Sequence, residues 1–388
     1  MRFSHLGAIL QVAALAVTGA AAIDESWSAV EALNELQQQA METLKVGPPS
    51  QKREPASCNP LTADRRQDWE YMSKETRKDY IRAVHCLHSL PSKSDPAWAP
   101  AARTRYDDFV AVHMNMTMSV HGSGLFLTWH RYLVWAYEQA LRNECGYQGY
   151  QPYWNYFSHA DNIHESHVFD GSDTSMGGDG DFFEHDGALG GASMIKIPSG
   201  QGGGCMRRGP FGNWTVNMGP VRPGMQNMSA VPDFTVYNPR CLRRDLSSYV
   251  TSKWFTTANL LNVTIGPASE THYSYWREVQ GRYPDGFLGL HTSGHYAMGG
   301  DATDLYSSIQ DPAFWLHHTM FDRLYWIWQA LHPEEARKTA GTLTLSNNPP
   351  TRNATVDDVL DLGILGQKRP LHEMFNTLGT TPLCYIYV

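Results

Sequence analysis

Six histidines stand in two sets of three, one on each side of a long glycine-rich segment. The sets are His113, His121 and His130, and His291, His295 and His318. Because His291 and His295 are four residues apart, a helix would place both on one face. Three neutral imidazoles can bind one metal ion without help from cysteine or carboxylate. A lone histidine is more often structural, but two patterned sets indicate two metal sites.

The segments that must position these histidines are patterned as helices. Apolar residues recur at helical spacing over residues 65–90, 103–120, 128–144, 270–282 and 312–332. The first set spans a helix, a turn that holds His121, and a returning helix that holds His130. Asp311 and Pro312 suit the start of the helix that carries the last histidine. Facing helices of one bundle can bring each set to one ion, and two such sites favour paired copper over zinc or nickel.

The rest of the composition describes one folded domain. Charged residues make up 18% of the 388-residue chain, aromatic residues 12%, and the net charge is −8. So many aromatic residues exclude a disordered chain, and an acidic balance without a basic cluster argues against nucleic acid as a partner. Residues 158–250, rich in glycine and proline, predict long irregular loops with a few short strands. We expect residues 54–388 to form a single, mainly α-helical domain.

The N-terminus has the pattern of a secretory signal over residues 1–22. Arg2 precedes an apolar stretch that is too short to span a bilayer, and alanines that suit cleavage follow. We therefore expect a secreted, extracellular protein that does not associate with membranes. Residues 23–53 form a leader with a predicted amphipathic helix over 24–45 and the dibasic pair Lys52-Arg53. This leader is either removed as a propeptide or retained as a helix.

The six cysteines predict disulfide bonds rather than metal ligands. They include no Cys-x-x-Cys pair, and an even number in an exported chain indicates three bridges. Of the fifteen possible pairings, we favour one that ties the termini and closes the middle loop: Cys58–Cys384, Cys86–Cys145 and Cys205–Cys241. Five Asn-x-Ser/Thr sequons predict a glycoprotein, although Asn115 falls inside a helical segment and is expected to be unused.

Two motifs carry a family resemblance. Residues 113–132 read His-x7-His-Gly-Ser-Gly-Leu-Phe-Leu-Thr-Trp-His-Arg-Tyr, and residues 291–318 begin with His-x3-His and end with Asp-Pro-Ala-Phe-Trp-Leu-His-His. With Pro-Tyr-Trp-Asn-Tyr at 152–156 between them, they resemble the copper motifs of tyrosinases and catechol oxidases. The resemblance covers residues 58–388 and is to short fungal-type members that lack a C-terminal lid domain.

This resemblance implies a four-helix bundle core that holds a coupled dinuclear site of two copper ions. Each ion would be bound by one set of three histidines, and no other catalytic residue is implied. Of the adjacent pair His317 and His318, the family pattern makes the second the ligand.

The implied activity is that of a copper-dependent polyphenol oxidase of the catechol oxidase or tyrosinase type. Such an enzyme uses O2 to oxidise small phenolic substrates, here o-diphenols to o-quinones. Two alternatives remain open. One is an o-aminophenol oxidase with the same site, and the other is a haemocyanin-like O2-binding protein.

By the same resemblance, three positions tune the substrate. Thr292 stands where many monophenol-hydroxylating members have asparagine, Tyr296 is bulky, and Leu305 takes the gate position. A hydroxyl has one donor and an amide two, so threonine should hold a base water less firmly. We expect weak hydroxylation of monophenols. Glu278 is a candidate acid for that water, with a salt bridge as the alternative, and Asp322 is expected to orient an imidazole.

Overall fold

The computed structural model describes residues 27–46, 58–226, 228–379 and 382–388. The predicted signal segment and the dibasic pair at 52–53 lie outside the described residues. The helices of the described part are α1 (Ala29–Val46), α2 (Lys74–Ser89), α3 (Arg105–Val120), α4 (Phe126–Cys145), α5 (Ser248–Trp254), α6 (Thr257–Thr264), α7 (His272–Gln280), α8 (Gly289–Met298) and α9 (Phe314–Leu331). Among them, none combines the length and the apolar character that a membrane span requires.

Four of these helices, α3, α4, α8 and α9, form a bundle at the centre of the fold. Every residue of α9 from Phe314 to Ala330 is buried, as expected for a helix surrounded by other elements. The indole of Trp315 stacks on the Tyr137 ring of α4, with ring centroids 3.6 Å apart. The prediction of a mainly α-helical fold with a four-helix core is confirmed.

Helix α9 begins two residues later than the sequence pattern predicted. Asp311 is held by Arg244 in a fully buried ion pair of 2.6 Å. One oxygen of Asp311 also accepts a hydrogen bond from Ala313 N at 2.8 Å. The N-cap is Ala313, which makes no side-chain capping hydrogen bond, so the predicted N-cap at Asp311 and first helical position at Pro312 are wrong.

The described part of the leader belongs to the hydrophobic core. Helix α1 packs against α9 and α6 through a fully buried apolar stripe: Ala32, Leu33, Leu36 and Ala40. Its Gln37 accepts two hydrogen bonds from the buried Arg323 of α9, at 2.8 and 2.6 Å. This packing favours the retained-helix alternative, and cleavage near residue 53 stays a prediction.

The short strands of the described residues form two-stranded sheets. They are β1 (Asp64–Arg66), β2 (Gly180–Phe182), β3 (Ala188–Gly190), β4 (Ile195–Ile197), β5 (Gly203–Met206), β6 (Thr215–Val216), β7 (Arg240–Cys241), β8 (Val359–Leu360), β9 (Arg369–Pro370) and β10 (Tyr385–Tyr387). Strands β2–β7 lie within the irregular middle segment, as predicted. Strands β1 and β10 pair in parallel and join the two ends of the domain. The three predicted disulfides are confirmed.

Candidate metal centre

Seven buried histidines of the described chain converge in the bundle as two clusters. The first consists of His113, His121 and His130, and the second of His291, His295, His317 and His318. Within each cluster, one ring nitrogen per residue lies within 4.8 Å of the others. The clusters adjoin each other, because the rings of His130 and His318 stack with centroids 4.7 Å apart.

Each helix of the bundle contributes to these clusters. Helix α3 carries His113 and α4 carries His130, while α8 carries His291 and His295 one turn apart on one face. His121 lies at the end of α3 in extended backbone. The sequence had placed these five histidines on the same kinds of element.

Backbone carbonyl groups orient four of the rings through Nδ1. The pairs are His113 with Tyr306 O at 2.7 Å, His121 with Thr117 O at 3.0 Å, His130 with Phe126 O at 2.9 Å, and His295 with Ala302 O at 3.1 Å. A carbonyl oxygen can only accept, so each Nδ1 carries the proton and each Nε2 keeps its lone pair. This is the arrangement by which proteins present imidazole to a metal ion.

Several of the remaining ring nitrogens have no hydrogen-bond partner among the described residues. They are Nε2 of His113, His130 and His317, and both ring nitrogens of His318. Leaving a buried polar atom unpaired costs about 1–3 kcal/mol. A metal ion bound to these nitrogens would supply the missing partner.

Burial also keeps the clustered histidines neutral. It lowers the pKa of His121 to about 4 and the pKa of His295 to about 3. The pKa values of the other five are also held well below the usual 6.5, again mainly by burial. Neutral imidazole is the form that binds metal, and an all-imidazole donor set suits copper.

The spacing within the second cluster fits a shared ion. The Nε2 atoms of His291 and His295 lie 3.2 Å apart. Two nitrogen ligands that each bind one ion at about 2.0–2.1 Å in tetrahedral geometry are separated by about 3.3 Å. The residues present therefore fit a metal ion.

His317 and His318 both reach the second cluster, but they differ in their partners. Nδ1 of His317 lies 2.6 Å from the Tyr156 hydroxyl oxygen, and that hydroxyl group donates to the backbone carbonyl of His317 at 2.9 Å. A Cβ atom on Gly294 of α8 would lie 2.2 Å from the His317 ring, so this ring packs directly against the helix backbone. These contacts tie His317 to Tyr156 and α8, whereas neither ring nitrogen of His318 has a partner among the described residues; the assignment of His318 as the ligand stays a prediction.

The tuning positions lie beside the clusters. The Thr292 hydroxyl donates to Gln280 O at 2.8 Å, and the Tyr296 hydroxyl donates to Leu189 O at 2.9 Å. Leu305, half-buried, precedes Tyr306, whose carbonyl orients His113.

Glu278 is engaged away from the imidazoles. It forms a 2.8 Å ion pair with Arg282 and accepts a hydrogen bond from Asn262 at 2.9 Å. This is the salt-bridge alternative that the sequence offered.

The expectation that Asp322 orients an imidazole is wrong. One of its oxygens accepts from Arg131 Nε at 2.6 Å, and the other accepts from the hydroxyl groups of Tyr385 and Tyr387. These partners lie far from Asp322 in sequence, so helical spacing gave no sign of them.

Sequence reasoning also missed the groups that hold the imidazoles. The carbonyl partners have no side-chain signature, although two of them lie four residues before His121 and His130 and follow from helical spacing. Tyr156 belongs to the motif at 152–156, but the motif assigned it no role. No sequence pattern pointed to Gln280.

Comparisons with known proteins agree with this geometry. Residues 103–331 match the family model described as the common central domain of tyrosinase. This chain belongs to the tyrosinase family. It is 40% identical over 333 residues to Tyrosinase P of Aspergillus terreus, covering 84% of this chain and 92% of that protein. It is 34% identical to an N-acetyl-6-hydroxytryptophan oxidase of Emericella nidulans, covering 85% and 93%.

A solved structure shares the fold of this tyrosinase-family chain. A variant of a Thermothelomyces thermophila polyphenol oxidase superimposes with a TM-score of 0.84 at 35% identity, covering 92% of this chain and 98% of the other. The protein is thus a copper-dependent oxidase that acts on phenolic compounds with O2, and its cofactor is a pair of copper ions. The two histidine clusters fit two copper sites.

Proposed function

We propose that this tyrosinase-family enzyme is a secreted oxidase that converts o-diphenols to o-quinones and hydroxylates monophenols only slowly. In the oxidation, each diphenol loses two electrons and two protons. Two diphenols together supply the four electrons and four protons that reduce one O2 to two water molecules.

The proposed ligands are His113, His121 and His130 for one ion, and His291, His295 and His318 for the other. Bound copper would supply O2 binding and the capacity to accept two electrons.

Apolar rings would keep the site rigid and exclude water. Phe126 and Phe321 pack against His291, with ring centroids 4.7 and 5.0 Å away. Phe314 packs against His318 at 4.1 Å. These contacts support a dry site with fixed imidazoles.

The hydrogen bond made by the Thr292 hydroxyl is the observation that supports a preference for diphenols. A monophenol must lose its phenolic proton to a poised base before it is hydroxylated. Thr292 has one proton to donate, and Gln280 O accepts it, so Thr292 has none left for a base water. Glu278, the candidate acid, is occupied by Arg282 and Asn262. A diphenol oxidation needs no such base to begin.

Oxygen consumption by the copper-loaded protein tests this proposal. Catechol, tyrosine, o-aminophenol and a hydroxyindole would be supplied in parallel, the last because one relative is named for such a substrate. We expect the fastest turnover with catechol. Faster turnover of o-aminophenol would favour the aminophenol oxidase, and reversible O2 binding without turnover would favour an O2 carrier. Equal rates with tyrosine and catechol would contradict the role given to Thr292.

A substitution at position 292 sharpens the test. Thr292→Asn introduces an amide with two donors and a carbonyl acceptor, so we expect the ratio of tyrosine to catechol turnover to rise by up to about 100-fold, the lower end of what a poised base contributes. Thr292→Ser keeps a single hydroxyl donor and serves as the matched control, with an unchanged ratio. An unchanged ratio in Thr292→Asn would show that position 292 does not limit hydroxylation.

Secretion is supported by the sequence pattern of residues 1–22 and by three disulfides, which are typical of exported proteins. Expression of the full chain in a eukaryotic secretory host, followed by N-terminal sequencing of protein from the medium, tests it. We expect the medium to contain protein that begins after residue 22. Retention of the uncleaved chain inside the cells would contradict secretion.

A further inference from the structure

His121 differs from the other six clustered histidines because it lies outside a helix. It is the residue at which α3 ends, with φ −114° and ψ 145°, whereas the others lie within α3, α4, α8 and α9. Helical backbone fixes the direction of those six side chains. The Thr117 carbonyl orients the His121 ring, but the position of the backbone that carries this ring also depends on what holds residues 122–125, the loop that leads into α4.

Two side chains from one face of α7 hold this loop. Trp276 Nε1 donates to Ser123 O at 2.8 Å, and Gln280 Oε1 accepts from Gly122 N at 3.0 Å. Trp276 and Gln280 are four residues apart and so lie on the same side of the helix. Helix α7 therefore contacts the two residues that directly follow His121.

The amide group of Gln280 has a defined orientation. Its Nε2 donates to Trp276 O at 3.0 Å within the same helix. The side-chain oxygen is therefore the atom that faces Gly122 N, which can only donate. Both polar atoms of the amide are used, so rotation of the side chain would break two hydrogen bonds.

The main-chain carbonyl of Gln280 is hydrogen-bonded to a residue of α8, the helix that carries two histidines of the second cluster. It accepts hydrogen bonds from the Thr292 hydroxyl at 2.8 Å and the Tyr283 hydroxyl at 3.0 Å. Thr292 directly follows His291. Gln280 is thus hydrogen-bonded to Gly122, which follows His121 of the first cluster, and to Thr292, which follows His291 of the second.

We propose that Gln280 is a positioning residue that fixes the separation of the two metal sites by holding the His121 loop to α8. The proposal rests on the assignment of His121 as a ligand. Groups that hold a ligand in place typically contribute 10- to 100-fold to metal affinity. Loss of the Gln280 amide should therefore weaken the site that contains His121 and leave the helix-borne site intact.

Gln280→Met tests this role because methionine preserves the length of the side chain and removes both amide hydrogen bonds. The readouts are the copper content per chain, the rate of copper loss to a chelator, and the EPR signal of the Cu(II)-loaded protein. Two Cu(II) ions that couple through a shared ligand give no EPR signal, whereas an isolated Cu(II) ion does. We expect one of the two ions to be lost at least about 10-fold faster and an isolated Cu(II) signal to appear.

Two further variants separate positioning from stability. Gln280→Glu keeps an oxygen that can accept from Gly122 N, so it should retain most of the wild-type copper affinity. Gln151→Met removes the side-chain hydrogen bonds of a fully buried glutamine elsewhere in the fold, which contacts Tyr80 and Pro152. Its expected copper loss and EPR spectrum are those of the wild type, even where its melting temperature falls.

Each outcome decides for or against the proposal. Wild-type copper loss and EPR silence in Gln280→Met would overturn it while leaving the proposed oxidase intact, provided that the wild type holds two ions and oxidises catechol. Equal changes in Gln151→Met would overturn it too, because general destabilisation would then account for the effect. Fewer than two copper ions in the wild type would refute the ligand assignment and this proposal with it.

Discussion

Two buried polar clusters lie one turn apart between α4 and α9, and they differ in how their polar atoms are paired. Adjacent residues of α4, His130 and Arg131, contribute one to each cluster, and α9 contributes His318 and Asp322. In the histidine cluster, ring nitrogens are left without partners. In the neighbouring cluster, both oxygens of Asp322 are paired. Arg131 Nη2 in this cluster also lacks a partner among the described residues, but a guanidinium nitrogen can only donate and cannot bind a metal ion. The unpartnered imidazole nitrogens, which can carry lone pairs, therefore indicate the ligand site.

The two clusters also differ in the charge of their side chains. Burial alone would raise the pKa of Asp322, but Arg131 and Arg66 hold it below its usual range, so the carboxylate stays ionised. The clustered imidazoles are kept neutral by burial. Glu138 pairs with Arg66, so this cluster holds two carboxylates and two guanidinium groups, whereas the histidine clusters offer lone pairs to a cation.

The largest expected effect comes from His318→Ala. With one ligand removed, we expect copper content to fall from two ions to one per chain, and catechol oxidation to fall to the background of copper-free protein. Metal analysis and O2 uptake measure both. The exposed His372 provides the control, since His372→Ala should retain both ions. Two ions in His318→Ala would make His317 the ligand.

Asp322→Ala should affect stability instead of metal content. Breaking a buried ion pair leaves Arg131 without its carboxylate partner and costs about 3–5 kcal/mol of the free energy of unfolding, whereas Arg66 keeps its ion pair with Glu138. Denaturant titration of copper-free protein measures this loss. Asp173→Ala, which removes an exposed ion pair with Lys78, should cost less than about 1 kcal/mol. Copper loss from folded Asp322→Ala protein would place Asp322 in the metal centre.

A buried histidine outside both clusters gives a pH-dependent effect. Burial lowers the pKa of His272 to about 4, below the usual 6.5, so the unfolded chain binds more protons between these values. This contribution to stability is fully present above pH 6.5 and is lost as the pH falls to about 4, by roughly 3 kcal/mol. His272→Phe keeps a ring against Trp328 and cannot be protonated.

The free energy of unfolding of His272→Phe should therefore fall less steeply between pH 6.5 and 4 than that of the wild type. Unfolding both proteins in denaturant across this range measures the difference, in which the shared histidines cancel. Identical slopes would show that His272 remains neutral in the unfolded chain or charged in the folded one.

The smallest expected effect concerns Tyr156, which contacts His317. Tyr156→Phe removes one hydroxyl group and should cost about 1 kcal/mol, with copper content unchanged at two ions. Thermal unfolding and metal analysis measure the two quantities. Loss of an ion would show that metal binding depends on the contact between Tyr156 and His317. A purely structural role for His317 would then be incorrect.

Local sequence patterns predicted much of this structure. The spacing of His291 and His295 predicted a shared helix face, and the helical patterning predicted α3, α4 and α9. The disulfide pairing followed from the expectation that one bridge ties the termini. These features depend on residues close in sequence or on simple closure of the chain.

What the sequence did not predict depends on distant contacts. Asp322 was assigned to an imidazole by helical spacing, but Tyr385 and Tyr387 reach it from the far end of the chain. The tie between Gln280 and Gly122 spans 158 residues and involves a backbone N–H that every residue possesses. Asp311, predicted to cap α9, is instead paired with Arg244, which lies 67 residues away in sequence.

The parallel pairing of β1 with β10 has a consequence for synthesis of the chain. Residues 64–66 leave the ribosome long before their partners, residues 385–387, because the whole helical bundle lies between them in sequence. The tyrosines of β10 also complete the surroundings of Asp322 beside the histidine bundle. Cotranslational folding can therefore bring the helices together first, and β1 finds its partner only once residues 385–387 have left the ribosome.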